Sequence, residues 1–156
     1  MAAAGQPPAG PRRTPADVRV AVDRFLAEHT TLTLATVDAS GAPAAAAVFY
    51  AFEWTGTGAP ALYFLSEERT DHGRNILANP HVAATIQADG QDWRTIRGVQ
   101  LRGAAGLVPA PELPHAVLVY GRRFAFVAAL LAGKGPAALA GPLARARFWV
   151  LRPTWL

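Results

Sequence analysis

The sequence predicts a mainly β domain with flanking helices, arranged as a small antiparallel barrel. Three observations carry this. Six segments have the composition and alternation of strands. The first three are joined by short turns, which implies antiparallel pairing. Glycines recur through one long strand-like segment, as they do at barrel corners. The chain has 156 residues, 51% of them hydrophobic and 17% charged. That supplies one sizeable core and is too little for two. No glycine-rich turn joins a first strand to a helix, so a dinucleotide-binding βαβ unit is excluded.

Residues 1–14 are mostly Ala, Gly and Pro, with Arg12 and Arg13, and they lack the apolar stretch of a secretory signal. They read as a flexible tail ahead of a domain spanning 15–156. Thr14-Pro15-Ala16-Asp17 places a hydroxyl at the N-cap, proline at the first helical position and a carboxylate at the third. A helix over 15–29 follows, with Val18, Val22, Phe25 and Leu26 on its buried face. Thr31–Val37 alternates as a first strand. The turn Asp38-Ala39-Ser40-Gly41 leads through Pro43 into a second, Ala44–Glu53, and a Gly/Thr/Pro turn leads into a third, Ala61–Ser66. Glu67–Pro80 is polar, then helical, and is stopped by Asn79-Pro80. His81–Ala88 is a fourth strand and Thr95–Val108 a long fifth carrying Gly98, Gly103 and Gly106. Pro109–Pro114 opens a helix through about Leu131, Gly133–Pro142 reads as a loop, and Arg145–Leu151 is the last strand.

Composition removes several function classes. The chain has no cysteine, which excludes disulfides, thiolate metal sites and a cysteine nucleophile. The four histidines show no metal-ligand spacing, so no metal site is expected. The longest apolar runs, Ala44–Phe52 and Phe124–Ala132, fall far short of the roughly 20 residues of a membrane helix. A cytoplasmic protein with no membrane partner is the expectation. The net charge is +4, and Lys134 is the only lysine among fifteen basic residues. Arginine suits phosphate. The aromatics are not interleaved with the arginines at a repeating spacing, so nucleic acid is not an expected partner.

Two constellations could carry chemistry. The first runs from a strand end through a polar turn into a helix: Ser66-Glu67-Glu68-Arg69-Thr70-Asp71-His72-Gly73-Arg74-Asn75. Hydroxyls on Ser66 and Thr70, donors on Arg69, His72 and Arg74, and the free N–H groups of a helix start can together hold a phosphate. The same residues also read as a plain helix cap with solvent-facing charges, which Glu67 and Glu68 favour. The second lies in the fifth strand, where alternation sets Arg94, Ile96, Gly98, Gln100 and Arg102 on one face. Glycine beside glutamine lets a flat ligand approach the backbone, with an amide to bond its heteroatoms. Ala44–Ala47 likewise leaves room for something flat, or packs beneath a helix.

In order and spacing, Leu62-Tyr63-Phe64-Leu65-Ser66, Thr70–Ile76, Asn79-Pro80-His81-Val82-Ala83, Ile96–Gly103 and Tyr120-Gly121-Arg122-Arg123-Phe124 resemble the FMN-binding split-barrel proteins of the pyridoxamine 5′-phosphate oxidase type. The closest likeness is to their small bacterial members. The resemblance implies a six-stranded antiparallel split β-barrel with Greek-key order that forms a homodimer, with FMN in grooves at the interface. It implies a flavin-dependent oxidoreductase acting on a small-molecule substrate. Carried over by position, Ser66 contacts the flavin, Thr70 and His72 bind its phosphate, and Arg69 or Arg74 assists. Ala47, Val48, Phe49 and Tyr50 line the ring through their backbone, and Gln100 approaches from the far edge of the groove. Ala46 and Ala51 stand where such oxidases carry basic residues, and His72 where lysine is common. The chain ends at Thr154-Trp155-Leu156, where relatives usually add a short strand. A haem or deazaflavin cofactor is the alternative occupant of such a barrel. No catalytic residue is implied, because the cofactor supplies the chemistry.

Overall fold

The computed structural model describes residues 14–132, 141 and 144–156. The expected tail over 1–13 and most of the expected loop over 133–142 lie outside them. Helix α1 (Pro15–Glu28) opens on the predicted capping box: Thr14 accepts from the Asp17 N–H, and the Asp17 carboxylate accepts from the Thr14 N–H. Strands β1 (Thr31–Val37), β2 (Pro43–Trp54) and β3 (Pro60–Ser66) form the meander. Helix α2 (Asp71–Ala78) then crosses to β4 (His81–Gln87), which hairpins into β5 (Gly98–Leu107). A short 3₁₀ turn, helices α3 (Leu113–Arg123) and α4 (Ala125–Leu131), and strand β6 (Arg147–Trp155) complete the chain.

All six pairings are antiparallel, and the sheet closes in the order β1-β2-β3-β6-β5-β4. The crossover from β3 to β4 and the return of β6 between β3 and β5 give the Greek-key order. The barrel interior holds Leu32, Leu34, Val48, Tyr50, Leu62, Phe64, Ile86, Leu101, Trp149 and Leu151. Phe64 and Trp149 stack there at 6.2 Å between ring centres. A second apolar layer lies outside the barrel, where Ala116, Tyr120 and Val127 of α3 and α4 cover Ala51, Ala61, Tyr63 and Val150. Strand β3 is therefore buried on both faces, which explains its unbroken apolar run.

Several expectations are corrected. A half-open barrel would leave Val48 and Tyr50 exposed for a partner to cover. They are 8% and 0% exposed, because they share the inward phase of Leu32 and Leu34 across the pairing Leu32↔Val48. The Tyr50 hydroxyl donates to the Leu26 carbonyl, and burial pushes its pKa up to about 12. On α1, Leu26 is buried but Val18 is exposed. The fifth strand begins at Gly98, not Thr95. Asp92 accepts from the Arg94 N–H and the Gln91 side chain from the Arg97 N–H, so these groups are spent on a turn and not on a ladder. Arg94 and Ile96 thus leave the face shared by Gly98, Gln100 and Arg102. The long helix breaks at Phe124 into α3 and α4. Strand β6 runs past Leu151 to Trp155. Its register against β5 shifts at Arg102/Gly103, where a Cβ on Gly103 would lie 2.1 Å from the Arg152 carbonyl oxygen.

Candidate functional site

The start of α2 and the first half of β2 enclose an open cleft of about 430 Å³, lined by Ala44, Ala45, Ala46, Arg69, Thr70, Asp71 and His72. Its geometry follows from the turn that links β3 to α2. The Thr70 hydroxyl donates to the Glu67 carbonyl at 2.8 Å and accepts from the Gly73 N–H at 3.1 Å, the usual device of a helix N-cap. Gly73 lets the turn fold back on the helix, because a Cβ there would lie 2.7 Å from the Glu67 carbonyl oxygen and 2.8 Å from that of Glu68. Asn75, one turn on, is buried and donates to Thr36 of β1 at 3.0 Å, which fixes α2 against the barrel. From inside the barrel the Trp149 indole donates to the Ser66 carbonyl at 3.0 Å. The floor of the cleft is thereby anchored at both ends.

Ser66 and His72 meet in this frame, with Ser66 Oγ 2.6 Å from His72 Nε2 and 3.3 Å from Thr70 Oγ1. Both are half-buried. Burial pushes the His72 imidazole below its ordinary pKa, and the neighbouring Asp71 carboxylate partly offsets this. Arg69 pairs with Glu67 at 2.5 Å, and Arg145 reaches the other oxygen of that carboxylate at 3.1 Å. Partial burial acts to raise the Glu67 carboxyl, but the two guanidiniums hold it below its ordinary range. Arg74 bonds to the Asp71 carboxylate and the Arg69 carbonyl.

The sequence-predicted residues divide clearly. Arg69, Thr70 and His72 line the cleft, and Ser66 stands behind them on its bond to His72. Arg74 is engaged on Asp71 and does not line it. Ala47 and Phe49 point outward from β2 beyond the cleft, with Phe49 at 54% exposure and its ring 5.7 Å from that of Phe124. The Val48 and Tyr50 side chains point into the core. Gln100 lies on β5, three strands away round the barrel, in a separate groove with Gln87, Ile96 and Arg97. Of the two alanines at expected basic positions, Ala46 lines the cleft, whereas Ala51 is buried under α3. Sequence reasoning missed Arg145 and Trp149, which approach from the far end of the chain with no local signal. Among the described residues no group of acidic or histidine side chains could hold a metal, and no helix is long and apolar enough to cross a membrane.

Comparison with known proteins places this architecture. Residues 19–154 match the family described as pyridoxamine 5′-phosphate oxidase. The chain belongs to that split-barrel family. It is 33% identical over 104 residues to a UPF0306 protein of Yersinia pestis, covering 66% of this chain and 67% of that one. Among solved structures, the split barrel superposes on an Agrobacterium tumefaciens protein of unknown function, Atu2129. The TM-score is 0.66 at 27% identity, over 96% of this chain and 59% of the other, so this chain spans less than two thirds of it. HutZ, a haem storage protein of Vibrio cholerae, matches with a TM-score of 0.67 at 22% identity over 88% and 90% of the two chains, a likeness of fold. An F420 reductase matches with a TM-score of 0.55 at 26% identity over 85% and 92%.

The donor set of the cleft fits a phosphate group. A guanidinium, an imidazole with its serine, and the first N–H groups of α2 surround a strand reduced to alanines. The Asp71 carboxylate in the lining and that of Glu67 beside it are each tied to arginine.

Proposed function

We propose that this split-barrel protein is an FMN-dependent oxidoreductase that holds the flavin phosphate in the cleft between β2 and α2. The observation that carries this is the meeting of Arg69, Thr70, Ser66 and His72 at the start of α2, opposite Ala44–Ala46. Bound flavin would supply hydride or electron transfer to a small organic substrate. The chain's own part is to bind, orient and shield. Arg69 and His72 supply charge and hydrogen bonds to the phosphate. Thr70 keeps the helix start open toward it by capping Gly73. The small side chains of β2 let a flat ring run along the backbone toward Ala47 and Phe49. We further propose a homodimer, in which a second copy covers this bare outer face of β2, and a cytoplasmic location.

The test is the absorption spectrum of the protein after incubation with FMN and removal of the excess. A retained two-band flavin spectrum is the expected result, and Thr70→Ala combined with His72→Ala should lose it. A protein that retains no flavin overturns the reading. The 26% identity to an F420 reductase over 85% of the chain favours a second reading, in which a deazaflavin takes the place of FMN. Selective retention of that cofactor would support it. A Soret band would instead point to haem, the ligand of HutZ, which shares the fold. Light scattering tests the dimer, and a monomeric mass at micromolar concentration would remove it.

A further inference from the structure

We propose that the cleft takes up its phosphate group together with one proton, gained by His72, so that the ligand is held more tightly as the pH falls through the neutral range. This rests on the reading of the cleft as a phosphate site and adds its regulation.

The argument is one of charge. The fixed charges facing His72 are engaged with one another. From the turn, Arg69 is held on Glu67, which also takes Arg145. Beside them, Glu68 pairs with Arg147 of β6 at 3.4 Å. On α2, Asp71 is held by Arg74. From β3 comes only the neutral Ser66, and from β2 only alanine. Of the seven lining residues, His72 alone changes charge near neutral pH. A phosphate dianion set beside a half-buried imidazole favours the imidazolium, against the burial that disfavours it in the free protein.

The hydrogen bonding supplies a mechanism. In the neutral imidazole with its proton on Nδ1, the Ser66 hydroxyl donates to Nε2 across 2.6 Å. Once His72 is protonated, Nε2–H donates to Ser66 Oγ, and the Ser66 O–H is freed to turn to another acceptor. Thr70 Oγ1, 3.3 Å away, already donates to the Glu67 carbonyl and accepts from the Gly73 N–H. A single proton from solvent, added to one nitrogen lone pair, therefore adds a positive charge to the one left over where Arg69 and Arg145 share Glu67, and frees a second donor.

Two measurements test this. The first is the FMN dissociation constant between about pH 6.5 and 8.5, above the second phosphate ionisation near 6. Between the free and liganded pKa of His72, affinity should fall about tenfold per pH unit as the pH rises. His72→Gln should bind more weakly with no such slope, and His72→Lys should bind without it. A flat wild-type profile, or the wild-type slope persisting in His72→Gln, overturns the proposal while leaving flavin binding intact. The second follows the His72 ring protons by NMR with inorganic phosphate, assigned against His72→Gln. An upward movement of the His72 pKa, absent from the other histidines, is expected. If FMN does not bind but phosphate moves His72, the flavin reading fails and the proton-linked anion site stands. If phosphate leaves His72 unmoved, the proposal falls.

Discussion

The two halves of β2 do different work. From Val48 to Trp54 the strand is engaged on both faces: Val48 and Tyr50 fill the barrel, Ala51 lies under α3, and Glu53 accepts from the Tyr63 hydroxyl at 2.9 Å. From Pro43 to Ala47 it carries nothing larger than proline, and Ala44–Ala46 form one wall of the cleft. The strand keeps full register throughout, Pro43–Phe49 with β1 and Tyr50–Trp54 with β3. Backbone pairing alone thus sustains a strand whose side chains have been cut back to leave room. Stability and vacant space are assigned to different ends of one element.

Substitutions along and beside this strand sharpen the contrast. Tyr50→Ala should have the largest effect, about 3–5 kcal/mol of unfolding free energy, since it empties a fully buried site. It also removes the hydroxyl bond to Leu26 and the ring beneath the Arg123 guanidinium, 5.0 Å away. Denaturant titration measures it. Gly73→Ala comes next, at about 1–3 kcal/mol, because its methyl would press on backbone carbonyls that cannot swing aside. Cofactor retention should fall with it, and a variant as stable and as retentive as the parent would contradict the account of the turn. A smaller effect is expected from pH. The folded-state pKa of His72 lies below its ordinary value near 6.5. The unfolded chain therefore takes the proton first. Full stability is present above about 6.5 and declines as pH falls toward the folded value. Thermal melts of the ligand-free protein across this window should show a decline that His72→Gln reduces. Ala45→Ser, on the bare half, should change stability by less than about 0.5 kcal/mol, and a loss comparable with Tyr50→Ala would abolish the distinction between the halves.

Much of this was legible in the sequence where the cause is local. The caps at Thr14 and Thr70, the turn at Asp38–Gly41 and the alternation of β1 and β4 each depend on neighbours within a few residues. The gathering of Ser66, Thr70 and His72 was legible for the same reason, since one turn carries them. What escaped depends on distant partners. Closure of the barrel needs Leu62 against Leu151. The extension of β6 through Pro153 needs the irregular register opposite Gly103. The inward phase of Val48 and Tyr50 is set by pairing with Leu32 of β1 and Phe64 of β3, not by their own polarity. In the other direction, Arg94-Thr95-Ile96-Arg97 alternates convincingly yet forms a turn, because Gln91 and Asp92 capture its amides.

The bond from the Trp149 indole to the Ser66 carbonyl has an optical consequence. The chain has four tryptophans, and Trp149 is 0% exposed while Trp93 and Trp155 stand 75% and 50% exposed. A buried, apolar setting gives Trp149 the bluest emission of these three, and its indole is hydrogen-bonded to Ser66, whose hydroxyl meets His72 of the cleft. A chromophore seated there that absorbs where tryptophan emits would quench that blue component. The barrel thus carries its own lamp behind the site, readable without a label and by colour alone.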